Sequence, residues 1–146
     1  MGRLIRMCSI AAVFLTGVVV GTTVPMAVAS TPDAQPNQVF ELRTYTAAEG
    51  KHDALLARFR DHTMRIFDKH GMTNVGYWTP QEAPGSDQML VYLLAHPSRA
   101  AADANWQAFI ADPEWQEVFE ASRVEGPLIA GLERRYLEPT DFSPMR

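Results

Sequence analysis

The stretch QMLVYLLAH, Gln88 to His96, is apolar at nearly every position. Alternate residues of a strand point to opposite faces, so Met89, Val91 and Leu93 face one way while Leu90, Tyr92 and Leu94 face the other. A sheet with one wet face produces strands that alternate apolar with polar, so this strand is read as covered on both sides. A single layer of helices covers only one face of a small sheet. Something else must cover the second.

The flanking segments supply the remaining elements. VFELRTYT, Val39 to Thr46, sets Phe40, Leu42 and Thr44 against Glu41, Arg43 and Tyr45, a period of two that predicts a strand. After the turn AAEGK, apolar residues at Leu55, Phe59, Ile66 and Phe67 fall on one face of a helix from Lys51 to His70, and Gly71 takes the C-terminal glycine position. TNVGYWTP, Thr73 to Pro80, reads as a second strand, and QEAPGSD as the loop that joins it to Gln88. Ser98 is placed as the N-cap of a helix whose apolar face is Ala102, Trp106, Phe109 and Ile110. At ADPEW, Asp112 caps a fresh helical segment with Pro113 in its first position, and Trp115, Val118 and Phe119 continue the face. IAGLERRYLEP, Ile129 to Pro139, is the last strand. The order β-α-β-β-α-β defines an α+β, ferredoxin-like domain. Its two-sided third strand predicts that two subunits pair sheet on sheet as a homodimer.

The domain occupies residues 39–144 of a 146-residue chain. Residues 1–29 have the form of a secretory signal peptide: Arg3 and Arg6 without an acid, an apolar run from Met7 to Val20, and AVA at Ala27 to Ala29. Residues 30–38, opening STPDAQPN, read as a flexible leader. The chain is therefore expected to be exported, periplasmic or secreted, and to have no membrane association once the signal is cleaved. Cys8 is the one cysteine and lies in the signal segment, so the domain has no disulfide and no thiol nucleophile. Loss of Arg3 and Arg6 leaves 11 of the 13 Lys and Arg against 17 acids, a formal charge of −6. An acidic chain without a basic run is a poor partner for nucleic acid.

Four motifs carry a resemblance to a known family. VFELRTYTAAEGK at the start of the domain, HGMTNVGYW across the first helix end and second strand, ADPEW in the second helical region and PTDFSP at the end resemble bacterial members of the NIPSNAP family. The match runs from about Val39 to Pro144. The resemblance implies a dimeric α/β barrel, in which two ferredoxin-like sheets close around one another with helices outside. The wider superfamily with this barrel includes cofactor-independent monooxygenases, haem-degrading monooxygenases and isomerases, whereas the NIPSNAP branch itself has no generally assigned reaction.

Several residues are candidates for chemistry. His62 stands three residues after Phe59 and four before Ile66, which places it on the buried stripe, where a histidine can move protons near neutral pH. The plainer reading is a core histidine bonded to backbone or to a neighbouring tyrosine. Tyr77, Trp78, Tyr92 and Trp106, with His96 at a cavity mouth, form a candidate pocket for a small, flat, apolar ligand, against plain core packing. Glu41, Arg43 and Tyr45 share one face of the first strand, with Arg134 on the last. They are read as polar contacts within the barrel or at the dimer seam, where a buried ion pair sets register and partner choice. No two histidines stand at the helical spacing of a zinc site, so no metal is predicted. The residues specify no cofactor, and haem enters only by analogy with the superfamily. The functional expectation is an exported protein of unassigned activity that binds a small apolar ligand or a protein partner as a barrel dimer. The alternative is a cofactor-independent monooxygenase or isomerase acting on an aromatic or quinone-like compound, with His62 as general base.

Overall fold

The computed structural model describes residues 38–145. The signal segment and nearly all of the leader lie outside the described residues. Strand β1 (Val39–Ala47) is followed by one continuous helical rod, made of α1 (His52–Arg58), a π-helical turn (Phe59–Thr63) and α2 (Met64–Lys69). Then come β2 (Thr73–Trp78), β3 (Met89–His96), α3 (Arg99–Ala111), α4 (Pro113–Ala121) and β4 (Ile129–Leu137). The sheet is antiparallel in the order β2-β3-β1-β4, which puts the most apolar strand, β3, at the centre beside β1. This is the α+β, ferredoxin-like arrangement. Among the described residues no helix is long and apolar enough to cross a membrane.

Local chemistry fixes where the helices begin and end. Ser98 caps α3 by accepting from the Ala101 amide at 3.1 Å, and Asp112 caps α4 by accepting from the Glu114 amide at 2.9 Å, with Pro113 first in that helix. Such caps satisfy amide donors that have no carbonyl partner in the first turn. Asp112 also accepts from Lys69 at 2.7 Å and His70 at 2.6 Å, so the end of α2 is tied to the start of α4. Those bonds, with Lys69 first and His70 next, hold the Asp112 carboxyl well below its ordinary range. His70 is therefore more than a helix-end residue in the field of the dipole. Gly71 follows with φ +73°, a left-handed conformation that a side chain disfavours, and turns the chain into β2.

The two faces of the sheet separate by register. Arg43 lies opposite Tyr92 on β3 and Arg134 on β4, and Tyr45 opposite Leu90 and Leu132, so these residues share one face. That face carries the main core, where Tyr45, Leu90, Tyr92 and Leu94 pack with Leu55, Phe59, Ile66 and Phe67 of the rod and Phe109 of α3. A second cluster consists of strand residues only: Phe40, Leu93 and Ala95, with Leu42 against them. The central strand is thus apolar on both sides, as its sequence predicts. Trp78 joins the second face, for it pairs with Val91 and its ring lies where a Cβ on Gly76 would sit.

The π-helical turn overturns one expectation. A stripe drawn at uniform helical spacing includes His62, but the turn from Phe59 to Thr63 holds an extra residue, and the stripe is re-phased beyond it. Thr63 becomes buried and its hydroxyl donates to the Arg58 carbonyl five residues back, at 3.1 Å, while His62 is exposed. Arg58, three residues after Leu55 and just before the turn, also faces inward and is only 5% exposed.

Candidate functional site

Between the helices and the sheet lies a cavity of about 670 Å³, within the size range of small-molecule sites. Its walls include Tyr45 of β1, Phe59 and Phe67 of the rod, Trp106 and Phe109 of α3, and Trp115 and Phe119 of α4. Ile110 and Leu132, 59% and 52% exposed, mark its mouth together with Arg134. The space opens to solvent along Ile110, Leu132 and Arg134, so it is a recess with an aromatic floor and not a closed interior void.

Two buried arginines face this aromatic chamber, and their surroundings differ. Arg43 donates through Nε to Glu41 at 2.8 Å and through Nη1 to the Tyr45 hydroxyl at 3.0 Å, and its guanidinium lies 3.6 Å from the centre of the Trp106 ring. Glu41 is fully buried, and its other oxygen accepts from His96 Nε2 at 2.9 Å and Trp106 Nε1 at 2.6 Å. Burial alone would raise the Glu41 pKa. The bonds from His96 and Trp106 and the charge of Arg43 outweigh it and bring the pKa down to about 2. A carboxylate that receives three donors and stands beside a cation is fully matched, so this cluster joins β1, β3 and α3 as structure.

Arg58 has no such match. Among the described residues none of the ion pairs includes Arg58; its Nη1 donates to Ser122 Oγ at 3.2 Å, and its Nε is buried without a hydrogen-bond partner. The guanidinium stands 5.3 Å from the Trp115 ring centre and 5.8 Å from that of Phe119. Burial pulls its pKa below the ordinary guanidinium value.

Several sequence-based assignments are corrected by this geometry. Glu41, Arg43 and Tyr45, read as polar contacts within the barrel or at its seam, bond to one another under the helices, where their register sets them with Tyr92 and Leu90. Arg134 shares their face but sits on the edge strand, exposed at the cavity mouth. Of the proposed ligand-pocket residues, only Trp106 lines the cavity. Tyr77 and Tyr92 stack on one another at 5.4 Å within the packed core, His96 is engaged by Glu41, and Trp78 is on the other side of the sheet, 53% exposed. His62 does not line the chamber; it borders an outer groove with Ala54, Ala57, Glu117 and Val118, which adjoins the chamber at Arg58.

Metal and haem can be weighed on the donor groups. Among the described residues no three His, Cys, Asp or Glu side chains converge as ligands to a metal ion would. The chamber lining includes no histidine, cysteine or methionine, and its one phenol, Tyr45, accepts from Arg43. That donor set does not fit haem ligation.

A four-stranded antiparallel sheet in ferredoxin-like order, with helices enclosing an aromatic chamber on one face, defines the class of this domain. Residues 40–144 match the NIPSNAP family model, and the chain belongs to the NIPSNAP family. Among solved structures it is similar to a NIPSNAP family protein of unknown function from Agrobacterium tumefaciens, at 26% identity over 76% of this chain and 96% of that one, with a TM-score of 0.65. A second NIPSNAP family protein from the same organism matches at 27% identity over 75% and 99% of the two chains, also with a TM-score of 0.65. An uncharacterized NIPSNAP-like domain protein from Burkholderia xenovorans, at 21% identity over 75% and 90% with a TM-score of 0.64, shares the fold. No curated protein matches the chain.

Proposed function

We propose that this chain is an exported protein that holds a small, flat, apolar ligand in the chamber between its helices and sheet, and that two copies pair through the opposite face of the sheet. The observation that supports binding is the chamber itself: about 670 Å³, walled by seven aromatic side chains, with Ile110, Leu132 and Arg134 at its mouth. Aromatic walls bury a flat ligand with large contact area, and a few fixed polar groups orient it. An oxygenase or isomerase built on His62 as base would need that residue in the chamber, which it does not reach.

Binding is tested by calorimetric titration of the mature protein with 2-naphthalenemethanol. Saturable one-site binding is expected, and Leu132→Trp, which fills the mouth from an exposed position, should weaken it by about tenfold or more, equivalent to about 1.4 kcal/mol. Absence of any saturable binding by the unaltered protein, or binding indifferent to the mouth substitution, would refute the chamber as a site.

Pairing is supported by the cluster of Phe40, Leu93 and Ala95 on the sheet face that does not carry the main core, flanked by half-exposed Trp78 and Leu137 on the edge strands. Sheet faces of this kind pack against one another to bury apolar side chains. Light scattering coupled to size exclusion should report a dimer at micromolar concentration, and Trp78→Glu, at a half-exposed position of that face, should convert it to monomer by placing a charge in the interface. A monomeric unaltered protein at that concentration would contradict the pairing.

A further inference from the structure

Arg58 is a second kind of wall in the chamber. It lies on the rod just before the π-helical turn, 5% exposed, against the rings of Trp115 and Phe119. Packing against aromatic faces accounts for part of its position, because a guanidinium is attracted to a ring's negative face. It does not account for a buried Nε–H without an acceptor. A buried donor left unmade is costly, and so is a buried cation without an anion.

Nearby charges leave the deficit in place. Arg43, the other buried cation of the chamber, is already matched by Glu41 and Tyr45. Glu120 borders the mouth, but its ion-pair contact is with Arg123 at 3.9 Å, and Arg123 adds positive charge near Arg58. Arg134 at the rim contributes another cation. The chamber therefore combines apolar aromatic walls with one unanswered positive charge inside and a second at the entrance.

From this juxtaposition we infer that the natural ligand is an aromatic or otherwise flat apolar anion, most simply a carboxylate, whose charged group pairs with the Arg58 guanidinium while its ring lies among Phe59, Trp106, Phe109 and Trp115. The inference deepens the binding reading above and rests on it. A carboxylate against the guanidinium answers its charge, and the planar guanidinium fork matches it in a way that lysine would not. Phe59 enters the lining from the same stripe as Arg58, and Thr63 is buried within the π-helical turn. Wide turns of this kind are frequent where a helix serves a functional site.

The test compares two probes of equal shape, 2-naphthoate and the uncharged 2-naphthalenemethanol, by calorimetry on the mature protein. The unaltered protein should prefer the carboxylate by about tenfold or more, the scale of a charge-assisted hydrogen bond. Arg58→Gln should erase that preference, lowering affinity for the carboxylate far more than for the alcohol, and Arg58→Lys should retain only part of it. Equal affinity of the unaltered protein for the two probes, with both still blocked by Leu132→Trp, would overturn the anion assignment and leave the chamber standing. A carboxylate preference that persists in Arg58→Gln would overturn it as well. Failure of both probes to bind would overturn both readings together. The comparison within the unaltered protein decides the matter even where an Arg58 variant does not fold.

Discussion

Glu41→Ala is expected to destabilise the domain by about 3–5 kcal/mol, the cost typical of removing one partner from a buried ion pair. The substitution strands three donors at once: Arg43 Nε, His96 Nε2 and Trp106 Nε1. It also leaves Arg43 charged and 6% exposed, with Tyr45 and the Trp106 ring as its remaining partners. Glu41→Gln should lose less, since an amide oxygen still accepts but carries no charge to answer Arg43. Chemical denaturation should show the midpoint falling while the slope stays constant, the signature of lost stability rather than a changed unfolded state. A loss below about 1 kcal/mol for the alanine variant would mean that the cluster does not join α3 to the sheet.

The same carboxylate imposes a pH dependence of definite sign. Its pKa falls from an ordinary 4.5 to about 2 in the folded protein, so the unfolded chain binds a proton more readily than the folded one as the medium turns acid. The stability that Glu41 contributes is thus fully present above about pH 4.5 and is lost as pH falls from there toward 2. In Glu41→Gln that part of the acid slope should vanish. Other carboxylates with lowered values, Asp112 and Glu114, should leave a remainder.

The fold could be read from the sequence because its main signals are short-range or periodic. The two-sided apolarity of Met89 to His96 places that strand in the centre, and Ser98, Asp112 with Pro113, and Gly71 mark helix ends by local chemistry that tertiary packing does not reverse. The candidate site was less legible, for two physical reasons. A π-helical turn has no compositional mark in RFRDHT, yet its one extra residue shifts which side chains point inward, leaving His62 exposed and Thr63 buried. Arg58 stands three residues after Leu55, on a neighbouring part of the same stripe, so position alone pointed to it; residue type argued for solvent. The second reason is the register between strands. Alternation shows that Glu41, Arg43 and Tyr45 share a face but not which face, and only the pairing with Leu90 and Tyr92 sets them beneath the helices.

Phe67→Ala is expected to cost about 3–5 kcal/mol, the range for deleting a large aromatic from a packed core. Phe67 is 1% exposed and its ring centre lies 4.8 Å from Phe109, 5.3 Å from Trp106, and 6.2 Å from both Phe59 and Tyr92. Its ring meets rings of the rod, α3 and the central strand together, so its removal loosens the helix layer from the sheet as well as emptying space. Because Phe67 also lines the ligand chamber, the alanine variant opens a larger apolar void, and such voids accept small hydrocarbons. Benzene should therefore raise the melting temperature of Phe67→Ala more than that of the unaltered protein, in proportion to the binding gained by the folded state. A loss of stability with no benzene response would mean that the helices collapse into the vacated space. In that event the rings of the chamber hold the layers apart through Phe67, and an added ligand has to act against a softened wall. A full response would show instead that the surrounding aromatics keep their positions without it, which is the rigidity that a preformed binding chamber requires.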